Sequence, residues 1–202
     1  MKKFIVGKKI EMTQIYNDSG NVVPVTVVDI QPCVVTQVKN KETDGYIAVQ
    51  VGYGVQKKSR IAKPQQGHTK DVGYFAGFKE FRTAEEYKVG DKIDVSQFEL
   101  GDEVKVSGVS KGKGFQGVVK RYGFKGAPKS HGTKDQVRMP GSIGATGPQR
   151  VFKGTRMGGQ MGNQGSTVSN LTVEKIDIEK NQVYLRGAVP GARNSLVTIY
   201  CN

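Results

Sequence analysis

The chain has no long hydrophobic run. No window approaches the roughly 18 apolar residues of a membrane-spanning helix. The N-terminus, MKKFIVGKKIEM, has lysines but an apolar run of only Phe4 to Val6, too short for a secretory leader. A cytosolic protein is therefore expected, with no membrane partner. Cysteine is scarce too. Cys33 and Cys201 stand far apart with no CxxC spacing, which argues against a structural disulfide in a reducing compartment. Two histidines and two cysteines, scattered, do not make a zinc site, so neither metal nor cofactor is expected. No paired carboxylates, Ser-His-Asp pattern or neighbouring Cys and His mark an active site.

One stretch almost lacks acids. Lys111–Gln164 contains eleven Lys or Arg and a single acid, Asp135, and so carries +10 of the chain's net +13. The other 148 residues hold 20 bases against 17 acids and are close to neutral. The stretch also holds 13 of the 27 glycines and few branched aliphatics. Such a segment buries too little apolar surface to offset its own ordering entropy. Glycine lets backbone lie flush against a partner, and cations need counter-charges. A basic, Gly-rich arm of this kind suits a polyanion, RNA foremost; a solvated disordered loop is the alternative.

The remainder reads as mainly β. Turn signals at Asn17–Gly20 and Thr43–Gly45 separate strand-like pieces at residues 4–16, Val22–Ile30, Cys33–Lys39 and Tyr46–Val51. Pro24 belongs at an edge or a strand's start. Residues 52–88 loosen into a peripheral insertion with a basic run (Lys57, Lys58, Arg60, Lys63) and a short helix expected at Lys79–Tyr87. His68 there reads as a surface residue or a phosphate contact. Val89–Val95 and Leu100–Val106 echo each other, each placing a Gly-Asp turn before an alternating strand. After the arm, Thr167–Ile178 alternates, with Val168, Leu171, Val173, Ile176 and Ile178 as core candidates; Gln182–Leu185 and Leu196–Tyr200 follow. Short strands with regular turns indicate a small β-barrel or sandwich. The expected division is a β-domain of residues 1–110 and 165–202, with 52–88 as its peripheral insertion and 111–164 as a basic extension inserted in it. The ends of that extension should then lie close together.

Three motifs in the arm imitate catalytic signatures. Gly112-Lys113-Gly114-Phe115-Gln116-Gly117 spells GxGxxG, but Gly123 and Gly126 must end any helix near Tyr122, so no βαβ unit follows. A Walker loop fails on spacing and on Gly114 after Lys113. Gly158-Gly159-Gln160 spells the peptide-release tripeptide; its flanks, Arg156-Met157 and Met161-Gly162-Asn163, point instead to close packing against RNA. The stronger signal is the spread of Lys111, Lys113, Lys120, Arg121, Lys125, Lys129, Lys134, Arg138, Arg150, Lys153 and Arg156 along the arm. A chain threading between RNA helices meets phosphates on all sides and needs that distribution. His131, Gln160 and Asn163 join them as RNA-binding candidates. Phe115, Tyr122, Phe124 and His131 are candidates for base stacking, with anchoring of the arm's root as the alternative for Phe115 and Tyr122.

These blocks resemble the bacterial large-subunit ribosomal protein uL3 (L3) family. Gly7–Ile15 resembles its opening, with Glu11 where the family usually has Gly. Ser110–Gly117 is similar to its most recognisable block. Ser130-His131-Gly132, Arg138–Gly144, Phe152-Lys153-Gly154, Met161-Gly162-Asn163 and Arg186–Gly191 follow in family order. The resemblance implies a translation-factor-like six-stranded Greek-key β-barrel with a small peripheral insertion and a long irregular RNA-binding extension. It implies 23S-type rRNA as partner, with L14 and L19 as neighbours, an early assembly role and a cytoplasmic location in the ribosome. It brings the arm tip (Ser142, Ile143, Gly144, Ala145, Thr146, Gly147 and Pro148) near the peptidyl transferase centre. Some members carry a methylated Gln at the tip. None is matched here, and Gln149, which follows the proline, does not inherit it. A structural RNA-binding protein without enzymatic activity is the expectation. A transient assembly factor and an enzyme with a basic substrate loop are its rivals.

Overall fold

The computed structural model describes residues 3–17, 19–83 and 85–201. Its strands, in chain order, are β1 (Phe4–Tyr16), β2 (Val22–Asp29), β3 (Cys33–Lys39), β4 (Ala48–Val55), β5 (Phe75–Phe81), β6 (Lys92–Ile93), β7 (Glu103–Val109), β8 (Phe115–Gln116), β9 (Gly159–Gln160), β10 (Gly165–Asp177), β11 (Gln182–Arg186) and β12 (Leu196–Cys201). Six of them close an antiparallel barrel in the order β1-β12-β7-β10-β11-β2. Strands β7, β10 and β11 follow one another round the wall, and β12 returns to lie beside β7, which is Greek-key order. The fold is thus the expected mainly β, six-stranded Greek-key barrel.

Two long strands turn the barrel's corners. β1 pairs with β12 over Phe4–Lys8 and with β2 over Lys8–Tyr16, with a register shift between Lys9 and Glu11. β10 pairs with β7 at its start and β11 at its end, with shifts at Val168/Leu171 and Val173/Lys175. Bulges of this kind bend a strand and raise its twist, which closure requires. They also break the period of two. Leu171 and Val173 are buried, Val168 and Ile176 are half-buried, and Ile178 lies past the strand's end and is exposed, against expectation. Pro24 pairs only with Gln14 of β1; the β11 ladder stops at Val25, so the missing amide proton falls near the strand's start as expected.

The strands read at Cys33–Lys39 and Tyr46–Val51 form, but outside the barrel. β3 and β4 join β5 and β6 in a separate four-stranded sheet, order β5-β4-β3-β6. The helix expected at Lys79–Tyr87 is absent: Lys79–Phe81 finish β5, paired to β4, and no helix occupies the remaining described residues up to Tyr87. Burial of Phe75 and Phe81 against this sheet outweighs the weak helical propensity of KEFRTAEEY. The two echoing segments part company as well: the first supplies β6 to the second sheet, the second β7 to the barrel.

One core spans both sheets. Ile5, Val28, Val104, Val106, Leu185 and Ile199 are sealed together with Val35, Val49 and Val51. Phe4 stacks on Phe81 with centroids 4.3 Å apart, and Phe81 meets Tyr200 edge-on at 5.3 Å. Successive strand residues face opposite ways, and Phe4, Ile5 and Val6 are all buried. This is why Phe-Ile-Val is a continuous apolar run rather than an alternating one: β1 is covered on both faces. Three ion pairs pin the edges. Lys3 bonds Asp102 at 2.8 Å and Glu99 at 3.2 Å; Lys39 bonds Glu80 at 2.7 Å and the Tyr46 hydroxyl at 2.7 Å.

Candidate nucleic-acid interface

Ser110–Gln164 forms a compact unit of its own, and the rest of the chain forms another. At its root the outgoing and returning segments are zipped together. Ser110 N–H donates to Gln164 O at 2.9 Å, Asn163 N–H to Ser110 O at 3.2 Å, Lys113 N–H to Met161 O at 2.9 Å and Met161 N–H to Gly114 O at 3.0 Å. β8 then pairs with β9, Phe115 opposite Gln160 and Gln116 opposite Gly159. The two ends lie side by side. Gly162 and Asn163 are both left-handed, φ 72° and 54°, and a Cβ on Gly162 would collide with the Lys111 carbonyl. Asn163 therefore serves the root's backbone geometry while its own side chain stays exposed.

The GxGxxG stretch leads into a helix of five residues, Val118–Tyr122, closed by left-handed Gly123, whose N–H bonds Val119 O at 3.0 Å. It ends where the glycines said it must, so no dinucleotide fold is built. Val118 is the buried anchor. Arg121, on the same helix, has a second occupation. Its Nη1 donates to Met157 O at 2.8 Å, and its guanidinium lies 5.0 Å from the Tyr122 ring, which also carries Arg156 at 5.7 Å. A Cβ on Gly159 would come 2.7 Å from Arg121 Nη1, and one on Gly158 within 3.3 Å of the Phe115 ring. The glycines of Gly158-Gly159-Gln160 thus accommodate Arg121 and Phe115, and Gln160 is simply the exposed partner of Phe115 in the ladder.

Beyond the helix the chain forms no strand until β9. Ala127 N–H bonds Val137 O at 3.0 Å and closes a loop that carries Lys129, His131 and Lys134; His131 is left-handed, φ 60°. Phe124, Lys125, Gly126, Ala127, Gln136, Met139, Pro140 and Gly141 line a cleft of about 590 Å³. At the tip, Ser142 Oγ donates to Gly144 O at 3.0 Å, and Gln149 N–H to Thr146 O at 3.3 Å across Gly147-Pro148. Ser142, Ile143, Gly144, Ala145, Thr146 and Gly147 are exposed, and Pro148 is half-exposed.

The bases share one property. Lys111, Lys113, Lys120, Lys125, Lys129, Lys134, Arg138, Arg150, Lys153 and Arg156 are all exposed, and Arg121 alone among the candidates is half-buried. Among the described residues no ion pair involves any of them; the five present join Lys3, Lys39, Arg186 and Arg193 to carboxylates elsewhere. Phe115 is 80% exposed, so it does not anchor the root, whereas Tyr122 is occupied by the two guanidiniums. That arginine–tyrosine–arginine stack went unread in the sequence because its members are 34 residues apart; the paired glycines opposite Arg121 were the only sign of a close approach. The described residues contain no cluster of His, Cys, Asp or Glu able to hold a metal, and no helix is long and apolar enough to cross a membrane.

Comparison with known proteins agrees with this architecture. Residues 55–181 match the family described as ribosomal protein L3. The large ribosomal subunit protein uL3 of Roseiflexus sp. is 50% identical over 199 residues, covering 96% of this chain and 95% of that protein. Its counterpart in Herpetosiphon aurantiacus is 49% identical over 199 residues, covering 96% and 94%. That of Streptococcus pyogenes is 47% identical over 201 residues, covering 98% and 96%. With a zipped basic arm, a Greek-key barrel and relatives matched over nearly their whole length, the chain belongs to the ribosomal protein L3 family.

Proposed function

We propose that this chain is a structural constituent of the large ribosomal subunit, located in the cytoplasm as part of the ribosome and without enzymatic activity. The basic extension 111–164, inserted in the β-domain of residues 1–110 and 165–202, binds large-subunit rRNA of the 23S type. Binding runs through Lys111, Lys113, Lys120, Arg121, Lys125, Lys129, His131, Lys134, Arg138, Arg150, Lys153, Arg156, Gln160 and Asn163. The protein acts early in subunit assembly beside neighbours such as L14 and L19, and its tip, Ser142–Pro148, approaches the peptidyl transferase centre.

The observation that carries this is the arm's electrostatics: exposed bases with no carboxylate partner among the described residues, on a backbone that its glycines keep slim. Cations left unpaired in the free protein are ready to displace counterions from phosphates, and each phosphate neutralised steepens the dependence of affinity on salt. The mechanism is therefore charge neutralisation and backbone-level packing that fix RNA segments relative to one another. Relatives named as large-subunit proteins support the assignment.

The test is the salt dependence of binding to a large-subunit rRNA transcript. Replacing Lys120, Lys125 and Lys129 with Gln should flatten the slope of log K against log salt by roughly two to three, at about 0.7–0.9 per phosphate. An unaltered slope would place the RNA elsewhere.

A further inference from the structure

The barrel-bearing unit is nearly neutral in sequence, yet its fold gathers four cations along one groove. Two clefts adjoin there. One, of about 350 Å³, is lined by Lys3, Phe4, Phe81, Arg82, Lys105, Ser107, Thr167, Tyr200 and Cys201. The other, of about 260 Å³, shares Ser107 and Thr167 and adds Lys79, Gly108, Ser166 and Thr198 among others. Among the described residues, no acidic side chain lines either cleft. Lys3 is committed to Asp102 and Glu99. Lys79, Arg82 and Lys105 have no carboxylate within ion-pair distance among the described residues, and the nearby Glu80 is already held by Lys39. Arg82 lies over the Tyr46 ring at 5.3 Å, which orients its guanidinium.

The floor between the cations is a row of hydroxyls set by strand register. Ser107 of β7 stands opposite Thr167 of β10 on one side and Thr198 of β12 on the other. Thr198 Oγ1 donates inward to Ser107 O at 3.3 Å. Ser107 Oγ and Thr167 Oγ1 are 2.7 Å apart, so one donates to the other and the second keeps its proton for a ligand.

We propose that this groove is a second RNA-binding site, separate from the arm, which takes a sugar–phosphate backbone. Lys79, Arg82 and Lys105 neutralise phosphates there, and the Ser107–Thr167 pair donates a hydrogen bond to a phosphate or ribose oxygen. Unpaired cations flanking hydroxyl donors suit a polyanion with closely spaced oxygens. An open groove without a splayed aromatic platform favours backbone over base recognition: Phe81 is sealed in the core and Tyr200 packs against it. The inference rests on the chain's being an rRNA-binding protein, but not on the arm's being the site.

The full chain carrying Lys79→Gln, Arg82→Gln and Lys105→Gln is titrated with a large-subunit rRNA transcript across a salt series, beside the Lys120/Lys125/Lys129 variant. The expected result is a slope shallower by roughly two to three in each variant, with the losses adding in the combination. A groove variant with the wild-type slope, while the arm variant flattens, overturns the second site and leaves the arm's role intact. The reverse outcome keeps the groove and removes the arm. A groove variant that binds RNA normally but fails to enter subunits points to a protein neighbour on this face and also overturns the proposal. Should the triple variant fold poorly, the exposed pair Lys79→Gln and Arg82→Gln is read instead, with an expected flattening of roughly one to two.

Discussion

Arg121 reaches across the arm to Met157: its Nη1 lies 2.8 Å from the Met157 carbonyl oxygen, so a residue leaving the root is tied to one returning to it. The bond lies beside Gly159, where any side chain must contend with the guanidinium. A base counted as a phosphate contact is thus also a structural bracket.

Gly159→Val should displace that guanidinium and loosen the root. The loss should be of the order of one hydrogen bond, about 1 kcal/mol locally. Amide exchange at Lys113, Met161 and Gly123 should accelerate, while amides of β7 and β12 keep their protection. Exchange that rises equally in the barrel would show that the two units do not open independently.

Leu185 is fully buried in the core. Leu185→Ala should destabilise the fold by about 2–5 kcal/mol, as deletion of a sealed aliphatic side chain does. The denaturant midpoint reports it. A cost below about 1 kcal/mol would mean that β11 is not part of the cooperative core.

Stability should fall with acid through Asp102. Burial opposes its ionisation, but the Lys3 ammonium and the Glu99 backbone N–H outweigh that and hold its carboxyl below the usual range. A depressed folded pKa means the contribution is fully present above the unfolded value, near 3.9, and is lost as pH falls through the folded one. Lys3 is shifted the other way, raised chiefly by its bond to Asp102, so its share is present below about 10.5 and lost only in strong alkali. Urea midpoints at pH 6 and pH 3 should therefore differ less in Asp102→Asn than in the wild type. Equal differences in the two proteins would remove Asp102 from the acid response.

Gly144 has open space where a Cβ would stand, and its φ lies outside the left-handed region, unlike Gly141 at φ 79°. Gly144→Asp should leave the isolated protein's stability and its entry into subunits unchanged, yet alter sensitivity to antibiotics of the peptidyl transferase centre. Chemical probing of that centre's nucleotides decides the point; reactivity identical to wild type at every nucleotide would make the tip an inert surface loop.

Much of this was written in local chemistry. Strand-rich stretches, turn glycines, the end of the helix at Tyr122 and the acid-poor run 111–164 follow from residue type and spacing, because turn geometry, capping and net charge act over a few residues or by simple sum. The wrong helix at Lys79–Tyr87 and the exposed Ile178 arise where that locality ends: one was decided by pairing with β4, the other by where β10 stops.

Only the tertiary structure decided which strands share a sheet, that β1 is covered on both faces, and that Arg121 is occupied by Met157 and Tyr122. It alone gathered Lys79, Arg82 and Lys105 around Ser107 and Thr167, from segments that add up to near neutrality. Composition sums charge along a chain, whereas a ligand meets charge in space. Closing a barrel brings β7, β10 and β12 together from distant parts of the sequence, and no local pattern encodes that register.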